Sequence, residues 1–190
     1  MLRFENINYG INNHTIHAVY GRKVSERFAV QLAAGPQVNT FAKIQGVDPI
    51  INWSMQSSLS YRMPRTDLRL SYFRGTTGGS GVLLGSETQQ VRFGLGHQLS
   101  RQWSASWNIG YALNDRLQRA GLPGPNDSFH SYSGGVSLNR TLGRHSRLYL
   151  NYQAQRQTRS AAAGTVGSLS GFRHVFGLGI NFRFRPIEVD

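Results

Sequence analysis

The most informative stretch of this sequence reads VFGLGINFRF and covers residues 175–184. Side chains of a β-strand point alternately to its two faces, so the stretch separates into two sets. The even-numbered positions are apolar and end in aromatic residues: Phe176, Leu178, Ile180, Phe182 and Phe184. The odd-numbered positions after Val175 are small or polar: Gly177, Gly179, Asn181 and Arg183. A strand that separates lipid from an aqueous lumen needs this division of its faces.

The end of this stretch resembles the C-terminal assembly signal of bacterial outer-membrane β-barrel proteins, a porin-like superfamily. In that signal a glycine is followed near the chain end by two aromatic residues that stand two positions apart. Gly179, Phe182 and Phe184 match the spacing, and a short tail over 186–190 follows. The resemblance implies a last strand over 173–185 that the barrel-assembly machinery recognises. It also implies a location in the outer membrane of a Gram-negative-type envelope, in contact with its lipid.

Length and hydropathy limit the class of protein. The chain has 190 residues, no cysteine and a mean hydropathy of −0.37, and this length predicts one domain over 1–190. The sequence contains no run of about 18 apolar residues, so it offers no transmembrane helix. A membrane barrel is compatible with low hydropathy, because only every second strand residue meets lipid. The first residues lack a secretory signal, so we expect either a mature barrel or, preferably, the C-terminal portion of a longer protein.

The connections between periodic segments alternate in length. Short turns are predicted near 22–26, 63–65, 100–101 and 143–146, and longer polar or glycine-rich stretches cover 35–49, 75–86, 114–128 and 158–172. Outer-membrane barrels alternate short periplasmic turns with longer outer loops in this way. The pattern therefore predicts an antiparallel meander with its long connections at one end.

The segments between these connections have the two-residue period of strands. The clearest run from Ile51 to Tyr61 and from Trp103 to Leu113. Together the segments predict about ten strands, counting residues 2–9, which form either a further strand or the tail of a loop. The predicted fold is all-β, a transmembrane antiparallel up-and-down β-barrel.

Alternation alone also fits a soluble β-barrel or sandwich with its apolar face inward. Three features favour the membrane alternative. The polar faces are built from Ser, Gly, Asn, Gln and Arg rather than from Lys, Glu and Thr. Aromatic residues such as Tyr61, Trp103 and Phe182 stand near strand ends, as in the aromatic girdles of barrels. Several segments reach the length of about 9–11 residues that a tilted membrane crossing takes.

The positive charge is carried almost entirely by arginine. The net charge is +12, with 19 Arg against only Lys23 and Lys43. The arginines are dispersed along the chain rather than clustered on one element, so we do not expect nucleic acid as a partner. Four share polar faces and are predicted to project into the lumen: Arg62, Arg69, Arg92 and Arg183. A lumen lined by one sign of charge prefers ions of the other sign, unless these arginines only pack across a narrow, filled barrel.

The sequence predicts no catalytic, cofactor-binding or metal-binding residue. Asp115, Asp127 and His130 could share one long connection with Ser128 and Ser131, but these residue types are ordinary turn formers. His14 and His17 would point to opposite faces of a strand, which makes them a poor metal pair. The glycine-rich residues 75–81 lack the Lys-Ser/Thr ending of a phosphate-binding loop.

Three functions remain open at this point. The first is a porin-like channel or structural barrel, anion-preferring, whose solutes would be small anions. The second is a ligand-binding or adhesion barrel that acts through its four long connections. The third is an outer-membrane enzyme that modifies lipid, a hydrolase or acyltransferase.

Overall fold

Ten segments with alternating side chains form β-strands, and all of them belong to one antiparallel sheet. The computed structural model describes residues 11–41, 49–77, 86–116, 128–143, 145–160 and 170–182. The strands are β1 (Ile11–Thr15), β2 (Ala18–Lys23), β3 (Phe28–Phe41), β4 (Ile50–Arg62), β5 (Thr66–Thr77), β6 (Ser86–Gln98), β7 (Trp103–Arg116), β8 (Ser128–Leu142), β9 (Ser146–Ser160) and β10 (Ser170–Phe182).

The strands follow one another in the sheet in sequence order from β3 to β10. Strands β1 and β2 lie end to end along β3, so that both pair with it on the same side. The all-β antiparallel meander of about ten strands is therefore confirmed. The sheet is open, with β1 and β2 at one edge and β10 at the other, so closure into a barrel remains a prediction. Residues 2–9 and the end of the predicted last strand, 183–185, lie outside the described residues.

The break between β1 and β2, at residues 16–17, lies beside a glycine and a proline of β3. Gly35 and Pro36 were expected to open a long connection, but they lie inside β3. The Ile16 N–H donates to the Pro36 carbonyl at 3.2 Å, and a Cβ at Gly35 would collide with the Ile16 carbonyl. Proline is tolerated within a sheet at such an irregular position beside an edge, where its missing N–H is not needed.

The connections alternate in length as predicted. Residues 24–27, 63–65, 99–102 and 143–145 make the short turns at one end of the sheet, here called the short-turn end. At the other end, the long-connection end, residues 42–49, 78–85, 117–127 and 161–169 join the strands. The strands thus extend further into the long connections than the sequence indicated. Serine hydroxyls support two short turns: Ser25 Oγ accepts from the Phe28 N–H at 3.0 Å, and Ser100 Oγ accepts from the Trp103 N–H at 3.2 Å.

The burial of the two faces is inverted relative to a water-soluble sheet. Among the described residues the buried hydrophobic side chains are Ala33 and Ala105, whereas 26 large hydrophobic side chains are exposed. The buried polar side chains are Gln37, Asn39, Ser54, Thr76 and Ser86. The described part of the chain therefore builds no apolar core, and the polar face is the crowded one. We call it the concave face.

Contacts across β4 show that the sheet bends towards this face at the long-connection end. Gln37 on β3 reaches Thr76 on β5, although strands two positions apart in a flat sheet lie about 10 Å from each other. The Gln37 Oε1 accepts from the Thr76 N–H at 2.7 Å, and its Nε2 donates to the Thr76 carbonyl at 3.1 Å. The Asn39 Nδ2 donates to Thr76 Oγ1 at 3.1 Å, and the Asn13 Nδ2 donates to the Thr76 carbonyl at 2.9 Å. These four residues form the Thr76 cluster. It supplies hydrogen-bond partners for the backbone N–H and carbonyl of Thr76, beyond Arg74, where the pairing of β5 with β4 stops.

Replacing Gln37 tests the contribution of the Thr76 cluster. Gln37→Leu removes the acceptor of the buried Thr76 N–H, so we expect it to lower the free energy of unfolding by about 1–3 kcal/mol. Denaturant unfolding, in the medium in which the chain folds, measures the loss. Gln31→Leu is the matched control, because Gln31 is exposed on the same face of the same strand, and should change stability by less than about 0.5 kcal/mol. Equal losses in both variants would contradict a specific role of the cluster.

Candidate functional site

The strand register assigns each side chain of the sheet to one face. On the concave face the residues are mostly Ser, Thr, Asn, Gln and Gly. Among those whose side chains the structure describes, seven from β4 to β10 are charged: Arg62, Asp67, Arg69, Arg92, Arg147, Arg159 and Arg173. Asp67 is the one carboxylate on this face within those described strands. The concave face is therefore polar and strongly basic.

Three of the four arginines predicted for the polar face lie on it, namely Arg62, Arg69 and Arg92, and Arg183 lies outside the described residues. The same face also carries Arg147, Arg159 and Arg173, which the sequence analysis did not assign. Their alternation with the apolar positions of β9 and β10 was the signal that could have found them.

The first three arginines form one diagonal row across β4, β5 and β6. Arg69 pairs with Ser60, two residues before Arg62, and Arg92 pairs with Ser71, two residues after Arg69. Diagonal neighbours of this kind stand about 7–8 Å apart between Cα atoms. Asp67 lies between the first two, with a carboxylate oxygen 3.9 Å from Arg62 Nε and another 3.9 Å from Arg69 Nη2. At these distances and with exposed side chains, one carboxylate screens the two guanidinium groups only weakly.

Arg92 borders a depression of about 460 Å³ on the concave face between β6 and β9. The polar side chains that line it include Gln90, Asn108, Ser131, Ser133 and Gln155. Gly110 keeps its floor open, because a Cβ there would stand 2.6 Å from Ser133 Oγ and 3.7 Å from Arg92 Cγ. With the Gln90 amide turned so that its oxygen faces Arg92, this oxygen accepts from Nη2 at 2.9 Å and from Nε at 3.0 Å.

Glycines on the concave face make room for long side chains of the neighbouring strand. Tyr149 lies across Gly179, and Asn151 lies across Gly177. A Cβ on Gly135 would stand 2.8 Å from Asn108 Nδ2. Tyr149, which departs from the polar pattern of its face, is thus accommodated flat against the sheet. The role of Gly179 and Phe182 in assembly stays a prediction, and Phe184 lies outside the described residues.

The opposite face carries a broad band of exposed apolar side chains, here called the apolar belt, in which Arg156 lies between Tyr132 and Phe172. Its most exposed members are Phe176 on β10, at 75% exposure, and Leu178 on the same strand, at 72%; on β4 the most exposed is Trp53, at 69%. The exposed part of the belt between β3 and β10 comprises Leu32, Ile51, Trp53, Met55, Leu59, Tyr61, Leu70, Val91, Phe93, Trp107, Ile109, Tyr132, Val136, Leu142, Leu150, Phe172, Phe176, Leu178, Ile180 and Phe182. Towards the long-connection end it gives way to polar residues, where Arg74 Nε donates to Glu87 Oε1 at 2.8 Å.

The belt runs obliquely across the hydrogen-bonded rows of the sheet. On β4 it extends from Ile51 to Tyr61, and on β10 from Phe172 to Phe182. The residue pairs of neighbouring strands connect Phe172 on β10, through one row of the sheet, to Ser57 on β4. Ser57 lies six residues after Ile51, where the belt on β4 begins. In the same way Phe176 shares a row with Tyr61, the last belt residue of β4. The belt on β10 continues six residues further, to Phe182, so it is displaced by six residues towards the short-turn end.

Three histidines of the belt face contact a hydroxyl group of a neighbouring strand. Tyr111 Oη lies 2.9 Å from His130 Nδ1, Tyr152 Oη lies 2.8 Å from His174 Nδ1, and Thr66 Oγ1 lies 2.8 Å from His97 Nδ1. Each pair joins neighbouring strands. The hydrogen-bonding capacity of these rings is thus partly satisfied within the protein.

Among the described candidates of the third long connection, Asp115, Ser128 and His130 share a face, but no hydrogen bond or ion pair joins their side chains. Asp115 lies opposite Ser128, and His130 shares their face, but its Nδ1 contacts Tyr111. Ser131 points to the other face, and Asp127 lies outside the described residues. Within the described ranges, no three His, Asp or Glu side chains come together as a metal site. Helices of sufficient length and hydropathy to cross a membrane are also absent from this part of the chain.

The long connections through which an adhesion barrel would act are predicted over 35–49, 75–86, 114–128 and 158–172. Their ends lie in strands, and 42–48, 78–85, 117–127 and 161–169 lie outside the described residues. Comparison with known proteins adds no assignment. No protein-family model matches the chain, and no curated protein matches it significantly.

Proposed function

We propose that this protein is a bacterial outer-membrane β-barrel protein of the porin-like kind. The apolar belt would face lipid, and the concave face would line a water-filled interior that passes small anions. The observation that carries this proposal is the inverted burial of the two faces: 20 large hydrophobic side chains are exposed on the apolar belt between β3 and β10, whereas polar side chains are buried on the other face. In water such a contiguous apolar surface is a liability, whereas in a bilayer it is the required surface.

The slant of the belt supports the same proposal. A shift of six residues amounts to about 20 Å along the strands, over six strand spacings that total about 29 Å. A belt that is level in a membrane therefore requires strands tilted by about 35°, which lies within the range of transmembrane barrels. Ten residue steps at this tilt give a belt about 27 Å high, close to the apolar band of about 25 Å in such barrels.

Closure of the sheet would satisfy its two free edges. In a bilayer an open edge leaves backbone groups without partners, which only a closed barrel avoids. Strand β10 and the edge formed by β1 and β2 run in the same direction, towards the short-turn end. An antiparallel closure therefore needs an odd number of strands between them. By analogy with other outer-membrane barrels, the short turns would face the periplasm.

The excess of arginine on the concave face supports a preference for anions. Among the residues whose side chains the structure describes, six arginines and one aspartate occupy this face from β4 to β10. Rings or rows of one charge set the selectivity of a pore, because they attract counter-ions and repel co-ions.

A matched pair of arginine substitutions tests which face meets lipid. Met55 is near the middle of the belt on β4, and Gln56 is its exposed neighbour on the concave face. We expect Met55→Arg to lower the free energy of unfolding in lipid vesicles by about 2–4 kcal/mol, the cost of arginine at the bilayer midplane. Gln56→Arg should change it by less than about 0.5 kcal/mol.

The unmodified chain provides the reference for this test. It should acquire its β-sheet circular dichroism spectrum, and a gel mobility that depends on heating, only when detergent or lipid is present. Cooperative folding in plain buffer, with equal stability of the two arginine variants, would refute the membrane proposal.

Charge reversal on the diagonal row tests the anion preference. Arg69→Glu combined with Arg92→Glu should shift the reversal potential in a planar bilayer with a salt gradient towards cation selectivity, because the row then carries negative charge. Arg27→Glu with Arg101→Glu changes the net charge equally but lies in the short turns, so its shift should be much smaller. An unchanged reversal potential in the Arg69 and Arg92 variant would show that these side chains do not line the conducting path.

A further inference from the structure

Arg92 differs from the other arginines of its diagonal row in its surroundings. Arg62 and Arg69 share Asp67, and on the belt face Arg74 is held by Glu87. Arg92 forms no ion pair with any described residue. Its guanidinium instead borders amides and hydroxyls around the depression between β6 and β9. We propose that this depression is a binding site for a small polyhydroxylated solute that carries an oxyanion, such as a sugar phosphate. The inference rests on the proposed function, since it names the solute class of the same concave face.

The guanidinium supplies the anchor for the oxyanion. Its planar set of N–H donors matches a phosphate or carboxylate group with two parallel hydrogen bonds. The neighbouring amide of Gln90 orients this group through the contacts at 2.9 and 3.0 Å described above. The Gln90 amide is neutral, so the positive charge of Arg92 is available to an anionic ligand. The charge of Arg74, in contrast, is neutralised by the carboxylate of Glu87.

The remaining polar side chains suit the hydroxyl groups of the solute. Asn108, Ser133 and Gln155 present donors and acceptors on three neighbouring strands. Two of the hydrogen bonds that they make now are long: Ser133 Oγ to the Gly110 carbonyl at 3.4 Å, and Gln155 Nε2 to Ser131 Oγ at 3.3 Å. Weak bonds of this length cost little to exchange for bonds to a ligand.

The position of the depression would force a permeating solute to meet it. Arg92 lies between Val91 and Phe93, two members of the apolar belt, so its height is that of the proposed membrane crossing. Arg62 and Arg69 lead towards it from the short-turn end. Gly110 leaves the space in front of Arg92 free, because any side chain there would occupy it.

Block of the channel current by a defined probe distinguishes a site from a diffuse positive field. Glucose 6-phosphate, added to the full chain in a planar bilayer carrying a chloride current, should reduce the current saturably. Glucose and inorganic phosphate should each need at least about tenfold higher concentrations, because each engages only part of the site. Arg92→Gln should raise the half-blocking concentration of glucose 6-phosphate at least about tenfold.

Two further variants sharpen this experiment. Arg147→Gln removes the same charge from the concave face outside the depression, so it should change the half-blocking concentration less than about twofold. Gly110→Leu should abolish block without a change in charge, provided that its heat-dependent gel mobility shows it to be folded. Equal effects of Arg92→Gln and Arg147→Gln would overturn the site in favour of a diffuse field, as would anion selectivity without saturable block.

Calorimetric titration of the folded chain in detergent micelles separates failure of the site from failure of the channel. If no current is observed, but glucose 6-phosphate binds to the unmodified chain and not to the Arg92→Gln variant, the site stands and the channel proposal fails. If the chain conducts anions but neither binds nor is blocked by glucose 6-phosphate, the site fails and the channel proposal stands.

Discussion

The ladder of hydrogen bonds between neighbouring strands carries this fold, because the described residues build no apolar core. Eight strands from β3 to β10 pair in sequence order, in continuous antiparallel registers of up to 15 residue pairs. Such a ladder fixes which face each side chain takes, and a slip of one residue would exchange the two faces. Every other property of the molecule, from the exposed belt to the basic concave face, depends on this register.

Curvature follows from how the concave face is filled. Polar side chains crowd there, and glycines such as Gly177 and Gly179 give Asn151 and Tyr149 space to lie flat against the neighbouring strand. At the long-connection end the Thr76 cluster joins β3 to β5 across β4, where the ordinary ladder stops. A sheet bent in this way brings its polar groups together and spreads its apolar groups apart, which matches an aqueous interior and a lipid exterior in the proposed barrel.

The sequence predicted this architecture where local alternation carries the information. The segments that begin at Ile51 and Trp103 are strands with the expected faces, and Arg62, Arg69 and Arg92 share one of them. The prediction for Gly35 and Pro36 was wrong, because the break between β1 and β2 that admits a proline into β3 lies at Ile16, a residue distant in sequence. The Thr76 cluster and the depression beside Arg92 were missed for the same reason, since both depend on which residues the register brings together from different strands.

Separate faces allow the chemistry of the interior to change independently of the membrane surface. Val91 and Phe93 belong to the belt, whereas Arg92 between them belongs to the concave face. A substitution at Arg92 therefore alters what the interior binds without removing any apolar side chain from the belt. The converse also holds: the belt can be optimised for lipid while the arginine row stays in place. In the proposed barrel, solute selectivity and membrane stability are thus set by alternate residues of the same strands.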